Sequence, residues 1–368
     1  MLEDDKKQDS SGCGCGAPSS CCVKEDTDII EPQTGQVETV STKLNLSDHL
    51  GTLRVRLGIY RMSYTINPGL YKVGSPDQNS HVLLSANYKL SFDALRSALT
   101  GLNLWILVID TKGINVWCAA GKGTFSSTEV VRMIAHTNLS QIVAGRKLIL
   151  PQLAAPGVSA HDVYRLSGFM VIYGPVKASD IPEFIDAGLK AAPKMRRVEF
   201  GLKDRLILAP LEIVMGLKYA IIIAIGMLIL SGIGINGYSI DGIKTVGVTS
   251  VLIFVVAFLG SVIIGSAFLP WLPGRAFAVK GLFVGLLMII LLIGYNIMYY
   301  NNTSMLTIAS WVFIIPGLSS FVVMNFTGAT TFTSLSGVLY EMRYAVPAQI
   351  AACIIGLSLW IAGLFIIT

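Results

Sequence analysis

Charge is scarce in this chain. Only 14% of its 368 residues are Asp, Glu, Lys or Arg, 53% are apolar, and the mean hydropathy is +0.63. That balance excludes a wholly soluble enzyme. Histidine is rare and no CxxC pair occurs, so zinc-site spacing is absent. Between residues 46 and 205 there is a single cysteine, Cys118, which excludes an internal disulfide framework and fits a reducing, cytoplasmic compartment. No GxGxxG follows any predicted strand. Gly121-Lys122-Gly123-Thr124 is superficially like the end of a P-loop, but GxxxxGK[ST] needs glycine where Val116 stands and Ser or Thr where Gly123 stands. The opening MLEDDKKQDSSG has no apolar core, so no cleavable signal peptide is expected.

What is present divides sharply. Nearly all the apolar excess follows Arg205, and just before it lies a basic cluster of Lys190, Lys194, Arg196, Arg197, Lys203 and Arg205. Such a cluster is a topology signal and not a nucleic-acid footprint. Residues 1–45 read as a disordered tail, 46–190 as an α/β domain, 191–205 as a basic linker and 206–368 as five transmembrane helices. The apolar spans are centred on Tyr219–Ile235, Val246–Leu269, Gly281–Tyr300, Met305–Phe326 and Val346–Ile367, each near the ~20 residues a bilayer needs. Arg275, Lys280 and Arg343 in the connecting loops, with the basic cluster, put the α/β domain inside and the C-terminus outside. Trp271, Tyr299 and Tyr300 fit interfacial belts, and Cys353 reads as packing. Glu212 and Lys218 are the only ionisable residues expected near a membrane core. They snorkel more simply than they transport, and anchoring is the favoured role of the helices.

In the tail, Cys13, Cys15, Cys21 and Cys22 read as unpaired thiols or reversible acylation sites, and as closely spaced thiols able to take a soft metal ion. Residues 53–73 alternate polar and apolar side chains and predict an antiparallel strand pair turning at Asn67-Pro68-Gly69. Strands at His81–Ala86, Leu104–Asp110, Lys147–Gln152 and Phe169–Tyr173 then alternate with helices at Ser91–Leu99, Ser126–Asn138, Ser159–Leu166 and Ser179–Ala187. This predicts a mostly parallel, Rossmann-like sheet covered on both faces. Its ligand side carries Ser85-Ala86-Asn87, the Thr111–Cys118 stretch, Pro151-Gln152 and the Gly174–Ala178 turn, with Ser91 expected to cap a helix there.

Cys118 is the one chemically forward residue of that edge. A lone cysteine on a short helix is most often a small buried hydrophobe. Here it follows a strand's ligand end, Ala119 and Ala120 are expected to leave its flank open, and Lys122 lies one turn on, where its charge favours a thiolate. Lys122 also reads as a solvated helix end stopped by Gly123.

Asn115-Val116-Trp117-Cys118-Ala119-Ala120-Gly121-Lys122 resembles the signature of the corrinoid protein of microbial mercury methylation, a family that joins a cytoplasmic corrinoid domain to a membrane domain. That corrinoid domain is in turn similar to the one in the large subunit of the corrinoid iron–sulfur protein. The resemblance covers about residues 45 to 368 and leaves the cysteine tail outside. It implies an anaerobic, corrinoid-dependent methyltransferase that binds a cobalamin-type cofactor in its methylcob(III)alamin form, with the Cys118 sulfur as lower axial ligand of cobalt. Ser85 to Ser91 matches the family's cofactor-contact segment, with serine where threonine is frequent, and Ala178 matches a further contact. The motif helix Asn115–Lys122 is implied to cap the corrinoid. Asn115 is expected to bind backbone and Trp117 to place its indole in the domain core, with direct cofactor contact of both as the equal alternative.

Thiolate is a strongly electron-donating axial ligand. Opposite a methyl group it favours departure of that group toward a soft electrophile such as Hg(II). The chain carries no cluster-binding cysteine motif, and the resemblance implies a ferredoxin-like partner with two iron–sulfur clusters as electron donor. A methyl donor is also needed, either a methylated folate or a methyltransferase. Two rival readings stand beside this one: a corrinoid methyl carrier with another acceptor, and a membrane transporter or sensor with a nucleotide-binding domain.

Overall fold

The structure, a computed structural model, describes residues 37–235, 237–299, 304–326 and 335–366. Cys13, Cys15, Cys21, Cys22 and Tyr300 lie outside the described residues.

A six-stranded sheet forms the first half. Its strands are β1 (Glu38–Thr39), β2 (Gly69–Val73), β3 (Val82–Ala86), β4 (Leu104–Ile109), β5 (Lys147–Leu150) and β6 (Met170–Tyr173), in the order β1-β2-β4-β3-β5-β6. β4, β3, β5 and β6 are mutually parallel, while β2 runs antiparallel to β4 and β1 parallel to β2. The expected mostly parallel α/β sheet is therefore present. The helices of this half are α1 (Leu46–Arg56), α2 (Lys89–Ala98), α3 (Val116–Lys122), α4 (Ser127–His136), α5 (Leu139–Ile142), α6 (Ala160–Ser167) and α7 (Ile181–Asp186).

Continuous apolar strands such as Leu104–Ile109 arise because both sheet faces are covered. Leu84, Leu107, Ile109 and Leu150 point to α4 and α6, where Val130, Met133 and Val163 meet them. Leu83, Ile106, Val108 and Ile149 point the other way, to Phe92 and Leu95 of α2 and Phe184 of α7. Ser126 and Ser159 cap α4 and α6, each accepting from a backbone N–H three residues on.

Two expectations for the start of the domain are corrected. Residues 53–73 do not pair as two strands, because Leu46–Arg56 is helical and only Gly69–Val73 is extended. A reciprocal cap outweighs the alternation: the Asp48 amide donates to Asn45 Oδ1 at 2.9 Å, and the Asn45 amide donates to Asp48 Oδ2 at 3.0 Å. The sheet also includes residues before 46, since β1 pairs with β2 at its edge.

α1 is tied to α2 by four charges of alternating sign. Lys89 Nζ and Arg96 Nη2 each lie 2.7 Å from Asp48, and both cations also pair with Asp93 at 2.7 Å. Arg96 donates further to the Ser41 carbonyl, fixing the segment that leads out of β1. Burial alone would raise the Asp48 carboxyl, but hydrogen bonds from Lys89, the Asn45 amide and Arg96 outweigh it and hold it well below the ordinary carboxylate range.

After α8 (Leu202–Leu206) come α9 (Ala209–Ser231), a two-stranded hairpin β7 (Ile233–Gly234) and β8 (Gly237–Tyr238), a single turn α10 (Ile240–Gly242), α11 (Val248–Phe268), α12 (Phe277–Tyr299), α13 (Met305–Asn325) and α14 (Leu335–Leu364). Five of these segments are long and apolar enough to cross a membrane. They pack through small polar contacts, such as the Ser261 and Ser319 hydroxyls at 2.7 Å. The helices run past the expected apolar spans, so Lys280 and Arg343, expected in connecting loops, lie inside helices instead. Lys280 lies inside α12 and donates to the carbonyls of Leu269 and Leu272, while Glu341 and Arg343 lie inside α14. Glu341 accepts from the Ala278 amide at the start of α12, which explains a carboxylate there. Cys353 is exposed on α14 in the chain taken alone, with its sulfur facing α13, 3.4 Å from where a Cβ on Gly317 would stand.

The ion network makes a prediction. A carboxyl whose folded pKa is depressed contributes stability that is complete above its unfolded value near ~4 and is lost as pH falls through the folded value. Asp48→Asn is expected to remove that part of the acid sensitivity. It should also destabilise the α/β half by about 3 kcal/mol, because two cations lose a buried partner. Thermal unfolding of the solubilised full chain from pH 3 to pH 7 measures both; equal melting of variant and parent across that range would contradict the assignment.

Candidate functional site

The connection after β3 runs through α2 on one sheet face, and the connection after β5 through α6 on the other. The chain therefore parts between the neighbouring strands β3 and β5. In open α/β sheets a ligand crevice opens at the carboxyl ends of such a pair. A cavity of about 350 Å³ lies there. Ser85 of β3, Ser91 of α2, Pro151 beyond β5 and Ala178 beyond β6 line it, and Asn115, Val116 and Trp117 at the start of α3 border it. Six of the predicted site residues thus meet at one cavity.

Their placements differ in detail. Ser85 is buried, with its hydroxyl 3.3 Å from the Ala86 carbonyl. Ser91 does not cap α2. The chain enters that helix at Tyr88, which makes no side-chain cap, and Ser91 stands a turn inside with its edge on the cavity. Ala178 opens a 3₁₀ turn, Ala178–Asp180.

α3 is a two-turn helix closed at both ends. The Cys118 amide donates to Asn115 Oδ1 at 2.9 Å, and Gly123 ends the helix in the left-handed conformation, φ 79°. The amide-to-backbone role expected of Asn115 is what the geometry contains. Two other expectations are corrected. Ala119 and Ala120 do not leave a flank open: they are buried at 0% and 5% exposure and form the face that α3 presses onto the domain. The approach is so close that a Cβ on Gly157 would lie 2.9 Å from Ala120 Cα and 2.2 Å from the Phe125 carbonyl. Trp117 is not in the core either; it is 45% exposed at the rim of the cavity. Burying the alanines turns Trp117, Cys118, Gly121 and Lys122 outward, and Cys118 is an exposed free thiol that does not line the cavity.

The residue that builds the site was passed over in the sequence except as part of a small polar strand end. Asn87 is buried, and its Oδ1 accepts from the Thr111 amide (3.1 Å), the Thr111 hydroxyl (2.8 Å) and the Gly113 amide (3.1 Å). Its Nδ2 donates to Asp110 Oδ1 at 2.8 Å. One side chain thereby sets the whole turn from β4 into α3. Lys112 and Gly113 both have positive φ, 55° and 71°. Gly113 is also required sterically, since a Cβ there would lie 2.6 Å from the Met62 carbonyl. The readable signal was an amide one residue past a buried strand, opposite a Gly-containing turn.

Around this turn Glu129 accepts from the Asp110 amide at 3.1 Å and pairs with Arg132. Hydrogen bonding to Glu129 holds the Arg132 guanidinium above its usual value, against its partial burial. Among the described residues no three His, Cys, Asp or Glu side chains cluster to hold a metal ion. A metal at Cys118 would therefore draw its other ligands from outside the chain. A larger cavity, about 770 Å³, lies among α12, α13 and α14, and none of the predicted site residues lines it.

Comparison with known proteins bears on the same region. Residues 40–185 match the family model of the CO dehydrogenase/acetyl-CoA synthase delta subunit. The gamma subunit of the acetyl-CoA decarbonylase/synthase complex of Methanopyrus kandleri is 34% identical over 123 residues, covering 33% of this chain and 26% of that protein. The corresponding subunit of Methanocaldococcus jannaschii is 29% identical over 147 residues, covering 39% and 30%. The corrinoid/iron–sulfur protein large subunit of Moorella thermoacetica is 28% identical over 122 residues, covering 33% and 27%. The chain thus spans between a quarter and a third of the length of these relatives.

Asn87→Ala should release the turn. Four hydrogen bonds at a buried amide would be lost, at a cost of about 2–4 kcal/mol locally. Amide exchange at residues 111–118 is expected to accelerate strongly while the β4 core stays protected. Unchanged exchange in that turn would show that Asn87 does not hold it.

Proposed function

We propose that this chain is a membrane-anchored corrinoid protein that hands a methyl group from cobalt to Hg(II). One observation carries the reading: a thiol-bearing helix, open to solvent at Cys118, borders the crevice at the sheet's switch point, within residues 40–185 that match the CO dehydrogenase/acetyl-CoA synthase delta-subunit family model. The eight-residue stretch Asn115–Lys122 narrows it to mercury methylation.

The fit to such a cofactor rests on the donor set. Cys118 has no competing metal-ligating cluster around it among the described residues, so its sulfur is free to meet a metal that already carries a macrocycle. The cavity is too small for a whole corrinoid and suits a peripheral arm. Ser85 and Ser91 would offer hydroxyls to that arm, Ala178 its backbone, and Val116 and Trp117 an apolar edge. When bound, the corrinoid supplies a cobalt centre that carries and releases methyl.

The protein's part is positioning and electron donation. Asn87 fixes the turn, Asn115 fixes the first turn of α3, and the buried Ala119 and Ala120 hold the helix down. Cys118 thereby stands on a short rigid element and not on a loose loop. Its sulfur would hold the metal and donate electron density to it, which would suit a soft electrophilic acceptor better than a nucleophilic one. Lys122, one turn on, is exposed on the same outward side of the helix as Cys118.

Gly121 completes the outer face without a side chain. The five long helices anchor this half at the cytoplasmic membrane, with the α/β half on the cytoplasmic side and the C-terminus outside. A ferredoxin-like protein with two iron–sulfur clusters would restore the reduced metal, and a methylated folate or its methyltransferase would supply methyl. The thiols at Cys13, Cys15, Cys21 and Cys22 would gather Hg(II).

The full chain is expected to take up cobalamin at one cobalt per chain, and Cys118→Ala to change the visible spectrum while cobalamin still binds. Absence of binding, or an identical spectrum in the variant, would overturn the reading. With reductant and methyl donor supplied, Hg(II) should be methylated faster than other soft thiophilic ions. A reversed order would point to a carrier with another acceptor. Removing residues 1–40 should slow methylation at limiting Hg(II) and leave it unchanged at saturating Hg(II).

A further inference from the structure

Between α1 and β2 the chain exposes an unusual run. Ile59, Tyr60 and Met62 are 45%, 75% and 65% exposed, and the exposed Arg56 and Arg61 flank them. Leu46, Leu50 and Leu53, also exposed, form one stripe of α1 leading to the run. In a soluble domain such a cluster of aliphatic and aromatic side chains is costly.

Its position gives the cost a purpose. A Cβ on Gly58 would come within 3.0 Å of Leu211 Cδ1, and Leu211 stands in the first turn of α9, the first long apolar helix. The exposed run therefore sits where that helix begins. Apolar and aromatic side chains interleaved with arginine at such a level are the composition of an interfacial segment.

The opposite side of the run faces the candidate site. The Met62 carbonyl and Thr65 Cγ2 crowd Gly113, at 2.6 and 2.9 Å from where its Cβ would stand. The Ile66 amide donates to the Asn87 carbonyl, and the Lys89 amide to the Tyr64 carbonyl, both at 2.9 Å. Asn87 is thus held from this segment through its backbone while its side chain holds the turn into α3.

We propose that residues 57–62 dip into the headgroup layer of the bilayer, and that this contact with lipid braces the turn carrying the Cys118 helix. The arginines select anionic headgroups, and Ile59, Tyr60 and Met62 enter the acyl boundary. The inference rests on the reading that the five long helices span a membrane. Binding at the site then depends on the bilayer through a path of about two residues: lipid to Met62, Met62 to Gly113.

The test uses the full chain in phospholipid nanodiscs containing phosphatidylglycerol. Tyr60→Trp, with fluorinated tryptophan incorporated, adds one fluorine resonance to those of the five native tryptophans. That resonance is expected to be broadened by a nitroxide lipid labelled near its headgroup and spared by a soluble gadolinium chelate. Broadening by the chelate alone, or by neither probe, would overturn the contact. Retention of the chain in membranes after alkaline carbonate extraction is measured alongside. Extraction would defeat the spanning reading itself, whereas retention without lipid broadening defeats only the present inference. In the Ile59→Asp/Met62→Asp variant, amide exchange at residues 113–118 should rise about tenfold in nanodiscs. Unchanged exchange there would separate the segment from the site.

Discussion

Asn87 is the constraint on which the candidate site depends. Its side chain satisfies three donors and one acceptor of the turn from β4 to α3, inside a domain where few polar atoms are buried. A turn with two consecutive left-handed residues is expensive to hold and would drift if left to solvent. With the turn pinned, α3 leaves the sheet in one direction only, and the burial of Ala119 and Ala120 fixes its rotation. Which side of α3 meets solvent, and hence where Cys118 stands, follows from these two facts.

The sheet explains why this turn, and not another, borders the crevice. β3 and β5 are neighbours whose following helices depart to opposite faces, which leaves an opening above them that side chains do not fill. α2 and the 3₁₀ turn Ala178–Asp180 beyond β6 supply walls, and α3 stands at the rim. The α1–α2 ion network secures the near wall. Asp48 and Asp93 together hold Lys89 and Arg96, so the helix bearing Ser91 is fixed to α1 and, through Arg96, to the segment after β1. A charged cluster of this kind contributes less to net stability than to fixing one arrangement, because desolvation offsets much of the Coulomb gain.

Much of this was legible from residues alone. The alternation of short apolar strands with helices gave the parallel sheet. The serines at 126 and 159 marked helix starts, and the apolar spans after Arg205 marked the long helices. What could not be read were the features decided by tertiary contact. The alternation in residues 53–73 imitates a strand, and only the Asn45–Asp48 cap with the Lys89 and Arg96 partners makes its first part helical. The boundaries of α12 and α14 ran past their apolar windows because Lys280 and Glu341 find carbonyl and amide partners at helix ends, which hydropathy does not register.

The exchange of roles between Trp117 and the two alanines is the most instructive of these differences. Size alone suggests that an indole belongs in the core and that alanines leave space. The reverse holds because α3 lies against backbone at Gly157, where no room exists for anything larger than a methyl group. The small residues are small so that the helix can sit low, and the large one is outside because it borders a crevice instead of filling it. A helix seated in this way carries its third residue, Cys118, up to solvent without freedom to turn away. A thiol presented outward on so rigid a support is suited to meeting a metal brought by another molecule, and poorly suited to packing.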